Sequence, residues 1–326
     1  MNRILLKKAL DDAKWLLLGC GLVITAFCWV RVWLVSRLDT ARFQNILDNI
    51  PDTWKRFASV DFEWLITYAG RIAVTFDEPI VVFGVSIWAI ARGSDCISGE
   101  IGRGTMEMLL AQPVSRLQLL VSHATVTLAG VLLLASAAWL GIYGGLHTNA
   151  VKQEVTPSWS MPFPLPLIGK EIPKPFAKPQ QQSTPMSELV DARVFIPGAA
   201  NVFSLGVFLA GLTTLASSCD RYRWRTIGVV VSLYVVEIIV KIIARGVDYL
   251  SWLQYGSVFS AYEPQRLVQM ADRDAGAAWK LLLFDNQGAF ESLGPLGHHL
   301  ILIGLGVACY VAAGVIFIRR DLPAPL

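Results

Sequence analysis

Two pairs of ionisable residues stand where an apolar setting makes them costly. Asp77-Glu78 meets the start of a hydrophobic stretch and is followed by Pro79, while Glu237 and Lys241 lie four apart inside another. Charges at membrane depth persist only when they pair, cap a helix or serve a polar route. Asp77-Glu78-Pro79 therefore reads either as an outer helix cap with proline in the first turn or as a polar site facing a transport path. Glu237 and Lys241 are in the favoured order for mutual neutralisation on one helix face; they read as paired or packed within the bundle, and otherwise as lining a substrate route.

Catalytic chemistry leaves no comparable trace. No G-x-x-x-x-G-K-[ST] phosphate loop occurs; Gly169-Lys170 lacks both the upstream glycine and the following hydroxyl. Neither H-E-x-x-H nor G-x-S-x-G is present. His123 and the pair His298-His299 read as packed or hydrogen-bonded residues. Cys20, Cys28, Cys96, Cys219 and Cys309 form neither a disulfide framework nor a metal spacing with them. Leu17-Leu18-Gly19-Cys20 looks faintly like a lipoprotein cleavage site, but the apolar run before it is too short and continues to Val35. The sequence thus predicts no catalytic residue, no metal and no cofactor held by this chain.

The elements that must position these residues follow from composition. The chain has 326 residues, 54% hydrophobic and 16% charged, far from a water-soluble balance. Eleven Trp and eight Tyr suit two membrane interfaces. A formal net charge of +3, with basic residues scattered beside apolar runs, argues against nucleic acid as a partner. The pattern predicts an all-α polytopic membrane protein with six spanning helices near 15–35, 72–91, 117–143, 199–218, 226–244 and 299–318. An amphipathic elbow helix over 2–14 precedes them, and Arg31 is placed to snorkel toward headgroups. Gly141, Gly144 and Gly145 are expected to close the third span. Long outer loops are expected at 36–71, 144–198 and 245–298. The first should hold one or two helices along the leaflet, and the second, dominated by proline, should lack regular structure.

Orientation follows from the short loops. Asp220, Arg221, Arg223 and Arg225 make a tight basic turn that belongs on the cytosolic side, where it serves topology and headgroup contact or a partner. The basic residues at both ends of the chain agree, so both termini are expected inside.

The remaining loop, 92–116, has a folded grammar of its own. Gly104 is suited to stop one turn, and Thr105 to cap the next by accepting a backbone N–H bond. Glu107 lies in the first turn, where the dipole favours an anion. Met106, Leu109 and Leu110 share a face, and Pro113 ends the helix. Ser115 and Gln118 form a capping box for the third span, with Val114 and Leu119 as its hydrophobic staple.

Glu100, Arg103-Gly104-Thr105, Glu107, Leu109-Leu110-Ala111, Pro113 and Ser115-Arg116 resemble the E-x-x-R-G-T-x-E-x-L-L-A-x-P-x-S-R loop of ABC type-2 exporter permeases. A weaker likeness runs from Phe317 to Pro325, and the six-span layout agrees. The resemblance implies a single permease domain over 1–326 in a bacterial cytoplasmic membrane, paired with a second permease chain in a homodimer or related heterodimer. It implies a separate cytosolic ATPase that binds ATP and Mg and docks on the loop. The apolar face Met106–Leu110 is expected to make that contact, with Glu100, Arg103, Glu107 and Arg116 orienting it. The implied function is export of a substrate; the alternative is a non-transporting, ATPase-coupled scaffold for maturation of an extracytoplasmic protein, as in relatives linked to multicopper enzymes.

Overall fold

The computed structural model describes residues 3–38, 51, 59–155, 158–165, 169–173, 180–284 and 290–321. Among the described residues, six helices are long and apolar enough to cross a membrane: Lys14–Arg37, Tyr68–Gly102, Arg116–Thr148, Ala192–Cys219, Arg223–Gly246 and Pro295–Arg319. Each overlaps one expected span, and the protein is an all-α polytopic membrane protein.

The fourth spanning helix is the axis of the bundle. It is the most buried of the six and packs on the second, third, fifth and sixth. It meets the sixth at backbone distance, since a Cβ on Gly211 would lie 2.2 Å from the Gly306 carbonyl oxygen. The third helix packs along the first in the same way. A Cβ on Gly141 would fall 2.5 Å from the Thr25 carbonyl oxygen, and one on Gly145 2.6 Å from Val32 Cβ. Those glycines do not end the third helix, which continues to Thr148. Their hydrogen faces are the contact surface that lets two helices approach. Inside, the Trp88 indole lies over Gly130 and donates to the Thr127 carbonyl at 2.9 Å.

The second span is not one uniform helix. It runs as α-helix Tyr68–Ala73, a 3-10 turn Val74–Asp77, α-helix Pro79–Ser94, a π-helical turn Asp95–Gly99 and a last α-turn Glu100–Gly102. Pro79 occupies the first turn as expected, with Glu78 at the N-cap position, but the Glu78 carboxylate makes no capping bond. It pairs instead with Arg31 at 3.4 Å. Arg31 is therefore turned inward to the second helix, because a carboxylate within reach is a better partner than a distant headgroup.

The proline-rich insertion is regular where it is described. β1 (Ala150–Val155) pairs antiparallel with β4 (Gln180–Pro185), and β2 (Ser158–Leu165) with β3 (Gly169–Pro173). The register shifts between Ser160 and Leu165, where Pro162 and Pro164 stand. A two-stranded ladder has a free edge on each strand, so a missing N–H costs it little. β5 (Leu282–Phe284) and β6 (Phe290–Leu293) form a third small ladder. Most of the expected leaflet helices in 36–71 lie outside the described residues; the described part holds the short helix Phe62–Ile66. Of the weaker terminal likeness, 322–325 lies outside them too.

Candidate functional site

One end of the bundle gathers the amino-terminal helix Arg3–Asp11, the π-turn, the loop helix Thr105–Leu110, the turn 220–225 and the end of the sixth helix. Its centre is a pair of carboxylates. Asp95 receives Arg103 at 2.6 Å, Arg223 at 3.3 Å and Arg92 at 3.6 Å. Glu100, with no exposed surface, receives Lys8 at 2.8 Å and Arg103 at 3.1 Å. Arg92 also donates to the Ala9 carbonyl at 3.1 Å. Two acidic groups thus tie the amino-terminal helix, the foot of the second span and the start of the fifth.

The π-turn creates the geometry for this. Its wider hydrogen-bond pattern frees backbone amides, and Ser217 of the fourth helix supplies the acceptor: its Oγ lies 3.3 Å from the Ile97 amide and 2.8 Å from that of Ser98. Thr226 of the fifth helix donates to Ser98 Oγ at 3.2 Å.

The loop follows its predicted grammar at most points. Gly104 adopts φ +70° at the N-cap position of the helix Thr105–Leu110, a conformation that glycine enters without a Cβ penalty. Glu107 sits in the first turn. Ser115 and Gln118 form the complete capping box, and Leu119 is buried with Val114 packed alongside. Thr105 departs from expectation: it is the first helical residue, and its hydroxyl donates to the Glu100 carboxylate. Glycine has taken the cap, which leaves the threonine to satisfy a buried acid.

The apolar face of the loop helix is also turned the other way. Met106 and Leu109 are buried, packed with Leu5, Ile97, Leu120 and Phe317 of the same chain, and Leu110 is half-buried beside them. An apolar stripe at the foot of a bundle meets the bundle's own apolar base first. Arg103, Gly104, Glu107 and Pro113 are left outward, with Met108 71% exposed. Arg116 lies beneath, donating to the carbonyls of Phe317 at 2.9 Å, Ile318 at 3.3 Å and Arg320 at 2.5 Å. Arg320 reaches in turn to the carbonyls of Ser218 and Asp220.

In the basic turn, Asp220 accepts from the backbone amide of Arg221 at 2.7 Å and pairs with Arg225 at 3.5 Å. Arg221 lies over the Tyr222 ring, and Arg223 is the member that enters the central cluster. The turn therefore has an internal structural role. Arg92, Asp95 and Lys8 belong to the cluster without having been singled out from sequence. Their signal was there: Arg92 and Asp95 fall three apart at the end of an apolar run, where unpaired charges are costly.

The four residues of the possible intramembrane site separate. Asp77 and Lys241 line one cavity of about 270 Å³ together with Arg245 and Tyr262. Glu78 is held by Arg31, as above. Glu237 accepts from Ser257 Oγ at 2.7 Å and the Val258 amide at 3.1 Å, while Lys241 donates to the Tyr262 carbonyl at 2.5 Å. Glu237 and Lys241 thus do not bond each other. Each finds a partner in the segment that follows the fifth helix, because backbone groups of a buried loop need satisfying.

A search of the curated proteins finds no match to the chain. Against family models, that of the ABC-2 family transporter protein matches residues 13–322.

Proposed function

The chain belongs to the ABC-2 transporter family, and from that premise we propose that it is the permease subunit of an ATP-driven exporter, moved by a separate ATPase subunit that binds ATP and Mg. The observation that carries this reading is the two-sided loop helix. One side, Met106 and Leu109, is bolted to the bundle, and the other presents Glu107 and Met108 to solvent, with the exposed Gly104 at its start. A docking element needs both a rigid back and a free front.

In this reading the basic end faces the cytosol of a bacterial cell and both termini lie on that side, in keeping with its gathering of arginine and lysine. ATP-driven closure of two ATPases presses on Glu107 and Met108. The push enters the third span through the Ser115 capping box and the second through the Glu100–Arg103–Asp95 ion pairs. A second permease chain completes the route, and the Asp77–Lys241 cavity faces it. The long outer segments also suit the scaffold reading, in which the same motion serves an extracytoplasmic protein. ATP-dependent accumulation of substrate in inverted vesicles separates the two.

The direct test is co-purification of the ATPase with single-site variants. Met108→Asp should abolish recruitment without lowering the thermal midpoint of the permease. Leu109→Asp should instead lower the midpoint by disrupting internal packing. Undiminished recruitment by Met108→Asp would remove this surface from consideration.

A further inference from the structure

A cavity of about 440 Å³ opens at the basic end between the amino-terminal helix and the feet of the second and fifth spans. Four cationic residues line it, Lys8, Arg92, Arg103 and Arg223, together with the acids Asp12 and Asp95. With Glu100 behind Lys8 and Arg103, four positive charges face three negative ones among the described residues. Three guanidinium groups share the single carboxylate of Asp95.

Lys8, Arg103 and Arg223 keep 38%, 44% and 41% of their side chains exposed while they pair with the buried acids. Their free donor positions and the surplus charge suit an anion with several acceptor oxygens.

We propose that this cavity binds a phosphate group, and that its source is the headgroup of an anionic phospholipid. Phosphate oxygens accept from several guanidinium and ammonium donors at once. The remaining wall favours the lipid source: Leu16 and Ala91 lie on the first and second spanning helices, so apolar lining from the spans stands beside the basic residues at their ends. That is the arrangement of a headgroup at a membrane surface, where basic residues beside a span attract acidic lipid. Bound there, the phosphate would bridge the amino-terminal helix to the second and fifth spans.

The test uses the full chain, delipidated in detergent and titrated with phosphatidylglycerol, phosphatidylcholine or inorganic phosphate, with bound lipid read by native mass spectrometry and stability by thermal melting. One phosphatidylglycerol per chain is expected to be retained, with roughly tenfold preference over phosphatidylcholine. Arg223→Gln, a partly exposed position, should reduce that preference to roughly a third or less while the chain still melts cooperatively. Stabilisation by inorganic phosphate without retained phosphatidylglycerol would keep the phosphate site and assign it to a free anion. Equal retention of the two lipids with no response to phosphate would overturn the proposal. So would full preference in Arg223→Gln.

Discussion

The two ends of the bundle are held by the same residue types in different arrangements. At the basic end, charged side chains from separate elements converge on two shared carboxylates: Lys8 and Arg103 on Glu100, and Arg92, Arg103 and Arg223 on Asp95. At the far end ion pairs are dispersed, as in Arg245 with Glu263 and Arg273 with Asp61, and buried polar side chains bind backbone. Lys241 and Glu237 hold the Tyr262 carbonyl and the Val258 amide, the Tyr262 hydroxyl donates to the Phe76 carbonyl at 2.6 Å, and Asn201 both donates to Ala261 and accepts from the Glu263 amide. A bond to backbone fixes the path of the chain itself. An ion pair between two long side chains joins elements by their tips without fixing either backbone. One end therefore rests on a shared pair of carboxylates, and the other on many separate contacts.

The largest expected effect strikes the frame that both ends share. Gly211→Leu drives a side chain into the Gly306 backbone and should cost about 3 kcal/mol, with both ends lost in a single lowered thermal transition in detergent. An unchanged midpoint would contradict so close a crossing. Next, Glu100→Ala removes a buried acceptor from Lys8 and Arg103. The cost should be about 2 kcal/mol, less than for a fully buried pair because both partners reach solvent. Its signature is local, faster tryptic cleavage at Lys7 or Lys8, with cleavage at Arg266 and Arg273 unaltered.

Tyr262→Phe loses one buried hydrogen bond at the far end, about 1 kcal/mol, and leaves the tryptic sites of the basic end unaffected. It also changes the pH profile. Burial pushes the Tyr262 phenol above its ordinary value. The folded form therefore keeps a proton that the unfolded form releases, and stability is lost as pH rises past about 10. The variant should lose less on that limb than wild type does. Ser115→Ala removes a cap at an exposed helix start and should cost about 0.5–1 kcal/mol, seen as a small drop in midpoint. Smallest of all, raising salt from about 0.1 to 1 M should speed tryptic release of the amino-terminal helix only slightly, because Glu100 and Asp95 are buried, and should act more at Arg273, whose pair with Asp61 is exposed. A larger response at the amino-terminal helix than at Arg273 would reverse that order.

Local rules reached as far as their range allowed. Hydropathy located all six spans, and three- and four-residue spacing located Gly104, the Ser115–Gln118 capping box and the helix Thr105–Leu110. The same rules misplaced Glu237 and Lys241 as mutual partners, because each found a better one about twenty residues on. They made Thr105 a cap when Gly104 already served. They also turned Met106 and Leu109 outward, since periodicity shows that a helix has an apolar face without showing which surface it meets. The third-span glycines were misread for a similar reason: their purpose, contact with Thr25 and Val32, lies more than a hundred residues away in sequence.

The π-turn at Asp95–Gly99 carries one residue more than an α-helix of the same rise would need. Everything beyond it, Glu100 included, is swung by about 100° from the bearing that the helix Pro79–Ser94 would have given it. Such a surplus sets the bearing of the loop: it is what aims Glu100 back at Lys8 of the amino-terminal helix, so the seating of the loop is written into the second span before the loop begins.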